Sequence, residues 1–293
     1  MSIFTGSGAA VCTPFSNDGA FNGAAYEKLI EFQIEKGTDA IVSCGTTGEA
    51  STLSNDEHIE VVRTAVAAAK GKVPVIAGAG GNNTAGCVAM GQALQKAGVD
   101  AIMCVTPYYN KTSQKGLVAH YTKIAASVDI PIMLYNVPSR TGMNLQAKTL
   151  YELSKIPNIT AIKEASGDFS QIAEMAERCA GAIDLYSGND DHILPLLALG
   201  GKGVVSTVAN IAPETVHNIV AKFMDGDLEG SRKLQLDLLP LIRLIFSDVN
   251  PMPVKAALNL MGFGAGECRL PLTAIDDGLL DSLKQEMKRY GLI

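Results

Sequence analysis

One lysine lies inside a run that otherwise reads as a buried strand, Thr160-Ala-Ile-Lys163-Glu-Ala-Ser-Gly-Asp168. Strand alternation puts Ala161, Lys163 and Ala165 on one face and Thr160, Ile162 and Glu164 on the other, so small neighbours leave space for a ligand beside the ammonium. A lysine desolvated in a pocket has its pKa drawn from about 10.4 toward roughly 7 to 8, and the neutral amine then attacks carbonyl carbon. The bland alternative, an ion pair between Lys163 and Glu164 or another acid near the strand end, is left open by this stretch alone.

Three further stretches carry chemistry. Cys44-Gly-Thr-Thr-Gly-Glu49 sets two glycines around two threonines, a tight loop whose amides and hydroxyls converge on one anion; a plain turn would need only one glycine. In Tyr135-Asn-Val-Pro-Ser-Arg-Thr-Gly142, Tyr135 shares parity with Met133 and is placed to shuttle protons beside a lysine on the next strand. Arg140 follows in a loop bounded by Pro and Gly. Packing with a bonded hydroxyl for Tyr135, and an ordinary surface charge for Arg140, are the structural alternatives. Val105-Thr-Pro-Tyr-Tyr-Asn110 puts two aromatics in a loop, more often an interface or a site than a core.

The elements that must position these residues alternate. Short apolar runs near Gly8 to Thr13, Ala40 to Cys44, Val73 to Ala77, Ala101 to Val105, Ile132 to Tyr135, Ile159 to Lys163, Asp184 to Ser187 and Gly203 to Ser206 read as strands. Amphipathic patterns fill the gaps, among them Asn22 to Lys36, Asn55 to Lys70, Thr84 to Ala97, Ser113 to Ala126, Phe169 to Cys179 and Pro213 to Met224, several entered through a Ser, Thr, Asn or Asp cap. The expected fold is α/β, a (β/α)8 TIM barrel over residues 1–225, with a doubly wound sheet as the alternative. After residue 225 the alternation stops. Patterns at Leu228 to Phe246, Pro253 to Met261 and Ala274 to Tyr290 predict a small C-terminal helical domain of three helices over residues 226–293. Its Leu stripe predicts intramolecular packing, since no heptad outlasts one helix.

Composition and spacing exclude several classes. The net charge of -6 and the lack of a basic stripe argue against a nucleic-acid partner, though local arginines or amides still bind an anionic substrate. Cys12, Cys44, Cys87, Cys104, Cys179 and Cys268 show no C-x-x-C pair and are expected to be reduced, mostly core thiols. No apolar run approaches a membrane span, and the first residues lack a signal-like pattern, so a cytoplasmic protein is expected. Gly78-Ala-Gly-Gly-Asn-Asn83 fails the dinucleotide fingerprint at its sixth position, and Asp100 begins a strand where the fingerprint needs an acid at a strand end. Gly200-Gly-Lys-Gly203 precedes a strand and so lies on the wrong face for a phosphate, while the acids of Ser187-Gly-Asn-Asp-Asp191 would repel one. His58, His120, His192 and His217 lack metal-ligand spacing, and no G-x-S-x-G occurs.

Taken together, G-T-T-G-E at Gly45 to Glu49, T-P-Y-Y-N at Thr106 to Asn110, Y-N-V-P-S-R-T-G at Tyr135 to Gly142 and I-K-E-A-S-G-D at Ile162 to Asp168 make the chain resemble the dihydrodipicolinate synthase family over its whole length. That family lies within the pyruvate-dependent class I aldolase barrels. The resemblance implies that Lys163 forms a Schiff base with pyruvate and that the derived enamine attacks aspartate 4-semialdehyde, with no added cofactor and no metal. It implies that Thr46 and Thr47 hold the pyruvate carboxylate, that Tyr135, Thr46 and Tyr109 form a proton relay with Tyr109 supplied by a neighbouring subunit, and that Arg140 binds the semialdehyde carboxylate. Gly188 and Val205 line the pyruvate pocket by the same matching, and a homotetramer, a dimer of tight dimers, is the common assembly.

Relatives on this scaffold, N-acetylneuraminate lyase and 2-keto-3-deoxygluconate aldolase, share the lysine and tyrosine. Arg140 and the Tyr108-Tyr109 pair therefore point to the small anionic aldehyde. A ligand-sensing barrel without turnover is the answer of a different class, and the chain adds no helix-turn-helix or other output segment to favour it. The resemblance also matches Ala50, Ser51, Asn55, His58, Asn82, Gly86 and Tyr108 to an allosteric lysine pocket at the tight dimer interface. Gly86 stands where feedback-sensitive members carry a glutamate and Asn55 where they often carry a histidine, so weak or absent inhibition by lysine is expected.

Overall fold

Strands that are apolar on both faces need cover on both sides and leave two edges to satisfy, and this chain meets both demands by closing its sheet on itself. The computed structural model describes residues 2–293. Its strands are β1 (Gly6–Ala10), β2 (Ala40–Ser43), β3 (Val75–Gly78), β4 (Ala101–Val105), β5 (Ile132–Asn136), β6 (Ile159–Glu164), β7 (Asp184–Ser187) and β8 (Gly203–Ser206). All pair in parallel in sequence order, and β1 returns to β8 through Gly6↔Gly203 and Gly8↔Val205 to complete a closed barrel.

Helices α1 (Gly23–Glu35), α2 (Asn55–Ala69), α3 (Thr84–Ala97), α4 (Gln114–Ala125), α5 (Pro138–Thr141), α6 (Ala147–Leu153), α7 (Phe169–Arg178), α8 (Ile193–Ala198) and α9 (Pro213–Met224) follow the strands in turn. After them come α10 (Leu228–Ile245), α11 (Met252–Leu260) and α12 (Asp277–Arg289). The expected caps are made. Asn22, Asn83, Ser113 and Asp168 each accept backbone N–H groups, and Ser54 and Glu57 form a reciprocal capping box.

Strand alternation sorts side chains into two cores. Outward residues such as Ile41, Ile102, Leu134 and Ile162 meet the helices, while Ala40, Val42, Ile76, Met103, Met133, Tyr135, Ala161 and Tyr186 fill the barrel interior. At its lower end Phe4 stacks on Tyr186 with ring centroids 4.4 Å apart, and the Tyr186 hydroxyl donates to the Phe4 carbonyl.

β1 and β3 differ from the sequence expectation by more than one residue. β1 starts at Gly6 and ends at Ala10 instead of running to Thr13, because the Cys12 N–H is taken by Asn210 Oδ1 at 3.0 Å and the Thr13 hydroxyl turns to the Gly48 carbonyl at 2.7 Å. β3 begins at Val75, since Pro74 offers the ladder no N–H. The sequence reading did not name α5, α6 and α8; these are seven residues or fewer, too short to display a helical period.

Candidate active site

The register of the barrel builds the centre of the site. Tyr135 of β5 lies beside Lys163 of β6, which in turn lies beside Tyr186 of β7. Lys163 is 6 % exposed, and its Nζ sits 4.4 Å from the centroid of the Tyr135 ring. The ion pair with Glu164 does not form. Glu164 faces the other way, accepting from Asn136 Nδ2 at 2.9 Å and from the Ser166 N–H at 2.6 Å. Among the described residues no carboxylate lies within salt-bridge distance of Lys163. Burial therefore lowers its pKa to about 8, Arg140 pushes in the same direction, and Asp190 opposes both. Burial raises the pKa of Tyr135, against which Arg140 and a hydrogen bond with Thr46 act. The resulting amine is partly neutral near physiological pH and stands over the Tyr135 ring.

The loop after β2 is wound tightly by its own backbone. Gly48 N–H donates to Gly45 O at 3.1 Å and Glu49 N–H to Thr46 O at 3.1 Å. Among the described residues the N–H groups of Thr46 and Thr47 meet no acceptor of the chain, which leaves two adjacent donors for an anion. Thr47 is buried, with its hydroxyl 3.3 Å from that of Thr207 and accepting from Asn250 Nδ2 at 3.0 Å.

The other expected site residues fall at different distances from this centre. Gly188 follows β7, and a Cβ there would stand 3.1 Å from both Cγ and Cε of Lys163, so only glycine leaves the lysine stem its path. Val205 is buried in the barrel interior on β8. Arg140, in α5, is exposed at the rim, near enough to lower the pKa of both Tyr135 and Lys163. Tyr109 is not brought to the centre. It is 91 % exposed at φ 66°, projecting from the loop after β4 into solvent.

The seven positions matched to an allosteric pocket do come together. Ala50, Ser51, Asn55, His58, Asn82, Gly86 and Tyr108 line one cavity of about 460 Å³, whose wall also includes Thr46 and Tyr135. His58 Nε2 is buried there without a partner, and burial lowers its pKa.

Sequence reasoning missed three buried polar residues near the site. Asp190 was read only as an acid that repels phosphate. It lies at the top of the barrel, accepting from the Ser206 hydroxyl and from the N–H groups of Thr207 and Val208 at 3.1 and 3.2 Å, and burial raises its pKa. Asn250 and Lys255 come from the C-terminal helical segment, more than two hundred residues from the loop they touch. Asp190, two residues after Gly188 at a strand end, carried a positional signal. The other two carried none.

A closed eight-stranded parallel barrel with a desolvated lysine at the upper end of its sixth strand places the chain among the lysine-bearing (β/α)8 barrels. Residues 3–290 match the dihydrodipicolinate synthetase family, and the chain belongs to it. It is 53 % identical to the 4-hydroxy-tetrahydrodipicolinate synthase of Lachnoclostridium phytofermentans over 294 residues, covering all of both chains. Among solved structures, dihydrodipicolinate synthase from Thermotoga maritima is 40 % identical with a TM-score of 0.97 over all of both chains. The Cyanidioschyzon merolae enzyme, solved with lysine bound, is 39 % identical with a TM-score of 0.97, again over the full length of both.

Proposed function

We infer that this chain condenses pyruvate with L-aspartate 4-semialdehyde to give 4-hydroxy-tetrahydrodipicolinate, the first committed step of the diaminopimelate route to lysine. The observation that carries the reading is Lys163, buried, unpaired and with its pKa lowered to about 8, its Nζ over the ring of Tyr135. Its neutral amine adds to the keto carbon of pyruvate, and loss of water gives a protonated imine. The imine accepts the electron pair left when a methyl proton departs, and the enamine so formed attacks the aldehyde carbon of the second substrate. The substrate's own amine then displaces Lys163 by transimination and closes the ring.

The paired N–H groups of Thr46 and Thr47 suit the pyruvate carboxylate, and the Tyr135–Thr46 contact suits the proton transfers. Arg140 at the rim takes the carboxylate of the semialdehyde, a task for which a guanidinium's planar fork is better shaped than an ammonium. Gly188 and Val205 line the pyruvate pocket. The outward Tyr109 completes the relay of a neighbouring subunit, which makes the working form at least a dimer and, in our reading, a homotetramer of tight dimers acting in the cytoplasm. We also read residues 1–225 as the catalytic domain and 226–293 as a helical domain appended to it. Among the described residues no helix is long and apolar enough to cross a membrane.

The cavity from Thr46 to Gly86 is the counterpart of an allosteric lysine pocket, and we propose that it binds lysine weakly or not at all. Nothing in its lining replaces the missing carboxylate: no Asp or Glu lines the cavity, and the side chain nearest Gly86 is that of Asn83, an amide.

The test is borohydride reduction in the presence of pyruvate, followed by intact mass and peptide mapping of wild type and Lys163→Ala. An adduct confined to Lys163 is expected, with turnover once the semialdehyde is added. Pyruvate binding without any adduct overturns the mechanism.

A further inference from the structure

The anion loop is held from a distant part of the chain by a buried pair of charges. Glu49 closes the loop, and its side chain is 1 % exposed; that of Lys255, on α11, is 2 % exposed. Lys255 Nζ donates to Glu49 Oε1 at 2.8 Å and to the Glu267 carbonyl at 2.8 Å, and lies 4.3 Å from the centroid of the Phe15 ring. The other carboxylate oxygen of Glu49 accepts from the Arg269 N–H at 2.9 Å. Each charge thus makes two hydrogen bonds. A buried ion pair gains little net stability over an apolar pair of the same shape, so the geometry it enforces is the more informative property.

That geometry is a strained one. Glu49 has φ 52°, in the left-handed region that a residue with a side chain occupies only where its surroundings hold it. Its N–H closes on Thr46 O, so the turn it ends is the one that leaves the Thr46 and Thr47 N–H groups free. The same C-terminal segment also holds the Thr47 hydroxyl through Asn250. Three anchor points on the loop therefore come from residues 250–269, none of which lies on a barrel strand.

We propose that Glu49 and Lys255 are positioning residues, which hold the loop in the conformation that binds the carboxylate of the first substrate and so let the C-terminal helices set its affinity. The inference rests on the loop and Lys163 acting as described above. Without Lys255 the turn relaxes and the two donors diverge, and misplacement of binding groups by about 1 Å is enough to cost one to two orders of magnitude.

The pyruvate dependence of borohydride trapping, turnover at saturating pyruvate and the melting temperature are measured for wild type, Lys255→Met, Lys255→Arg and Glu49→Gln. In Lys255→Met the half-saturating pyruvate concentration is expected to rise about tenfold, with saturated turnover within about threefold of wild type and the adduct still on Lys163. Lys255→Arg, which restores a charge to the same carboxylate, is expected to recover most of the affinity. A Lys255→Met enzyme that melts lower but is half-saturated within about twofold of wild type overturns the proposal, because a packing role alone moves only the melting temperature. Should Lys255→Met fail to fold, Glu49→Gln, which keeps the shape and one acceptor, carries the same expectation and the same refutation. If wild type itself gives no adduct, the reading of Lys163 falls; if wild type reacts and the variants bind pyruvate as it does, only the positioning role falls.

Discussion

Replacing Gly188 with alanine places a methyl group where the stem of Lys163 passes. The new Cβ would lie 2.7 Å from Cβ of Ala165 and 3.1 Å from Cγ and Cε of Lys163, whereas carbon atoms rest about 3.5 to 4.0 Å apart. The surroundings must therefore yield by roughly 0.5 to 1 Å. Backbone movement is resisted, since Gly188 N–H donates to Glu164 O at 2.8 Å and Ala165 N–H to Asn136 O at 2.9 Å. The Ala165 clash therefore forces a costly local shift of the backbone, and the flexible lysine stem is pushed aside with it, carrying the reactive nitrogen away from Tyr135.

Overpacking of this kind costs about 1 to 3 kcal/mol of stability, and a displacement near 1 Å at the reacting group costs about a hundredfold in rate. Gly188 does not have a left-handed φ, so alanine brings no backbone penalty that would confuse the result. The assay is kcat/KM for pyruvate together with guanidinium unfolding. Gly86→Ala serves as control, because its nearest neighbours would be 3.8 Å away. A Gly188→Ala enzyme within about threefold of wild type in kcat/KM would refute the reasoning.

Two further outcomes follow from the same residues. Lys163 has a pKa of about 8 in the fold against 10.5 for the free side chain. Below pH 8 both folded and unfolded chains carry the charge, and the penalty of burying it, about 3 kcal/mol, is fully present. Between the two values the unfolded chain binds more protons, so stability rises with pH until the penalty is gone. Lys163→Met should accordingly be more stable than wild type at pH 7 and lose that advantage above about pH 10.5; a lower unfolding midpoint at pH 7 would count against it. At the cavity, the Cβ of Gly86→Glu makes only ordinary contact with Asn83, and its side chain supplies the missing carboxylate. It should make the enzyme sensitive to lysine at concentrations that leave wild type unaffected, an outcome read directly from inhibition curves.

Where local pattern determines structure, the sequence was readable. The long helices and strands β4 to β8 lie where their caps and apolar runs put them, and Tyr135 and Lys163 share the interior face that alternation assigned to them. β1 was misjudged at both ends because its limits depend on Asn210 and Lys202, which are remote in sequence. Short helices such as Pro138–Thr141 have too few residues to show a period. The strongest non-local effects were invisible for the same reason: nothing in the pattern of α11 distinguishes Lys255 as the partner of Glu49, since the helix reads as apolar with one solvated charge. Asp190 was visible as an acid, but only the fold turns it toward Ser206 and Lys163.

The seam between β1 and β8 has a consequence for synthesis. Phe4 and Tyr186, which seal the lower end of the barrel, and Gly6 and Gly203, which join its edges, are separated by most of the chain. A ribosome that has not yet released residues 203–206 carries an open sheet with two unpaired edges and an apolar trough, the kind of surface that associates with other nascent chains. Closure must therefore be late, and Lys163 becomes shielded from water only when it occurs. A chain truncated before β8 is expected to need a chaperone, and the reactive amine is expected to acquire its unusual acidity at the end of folding instead of during it.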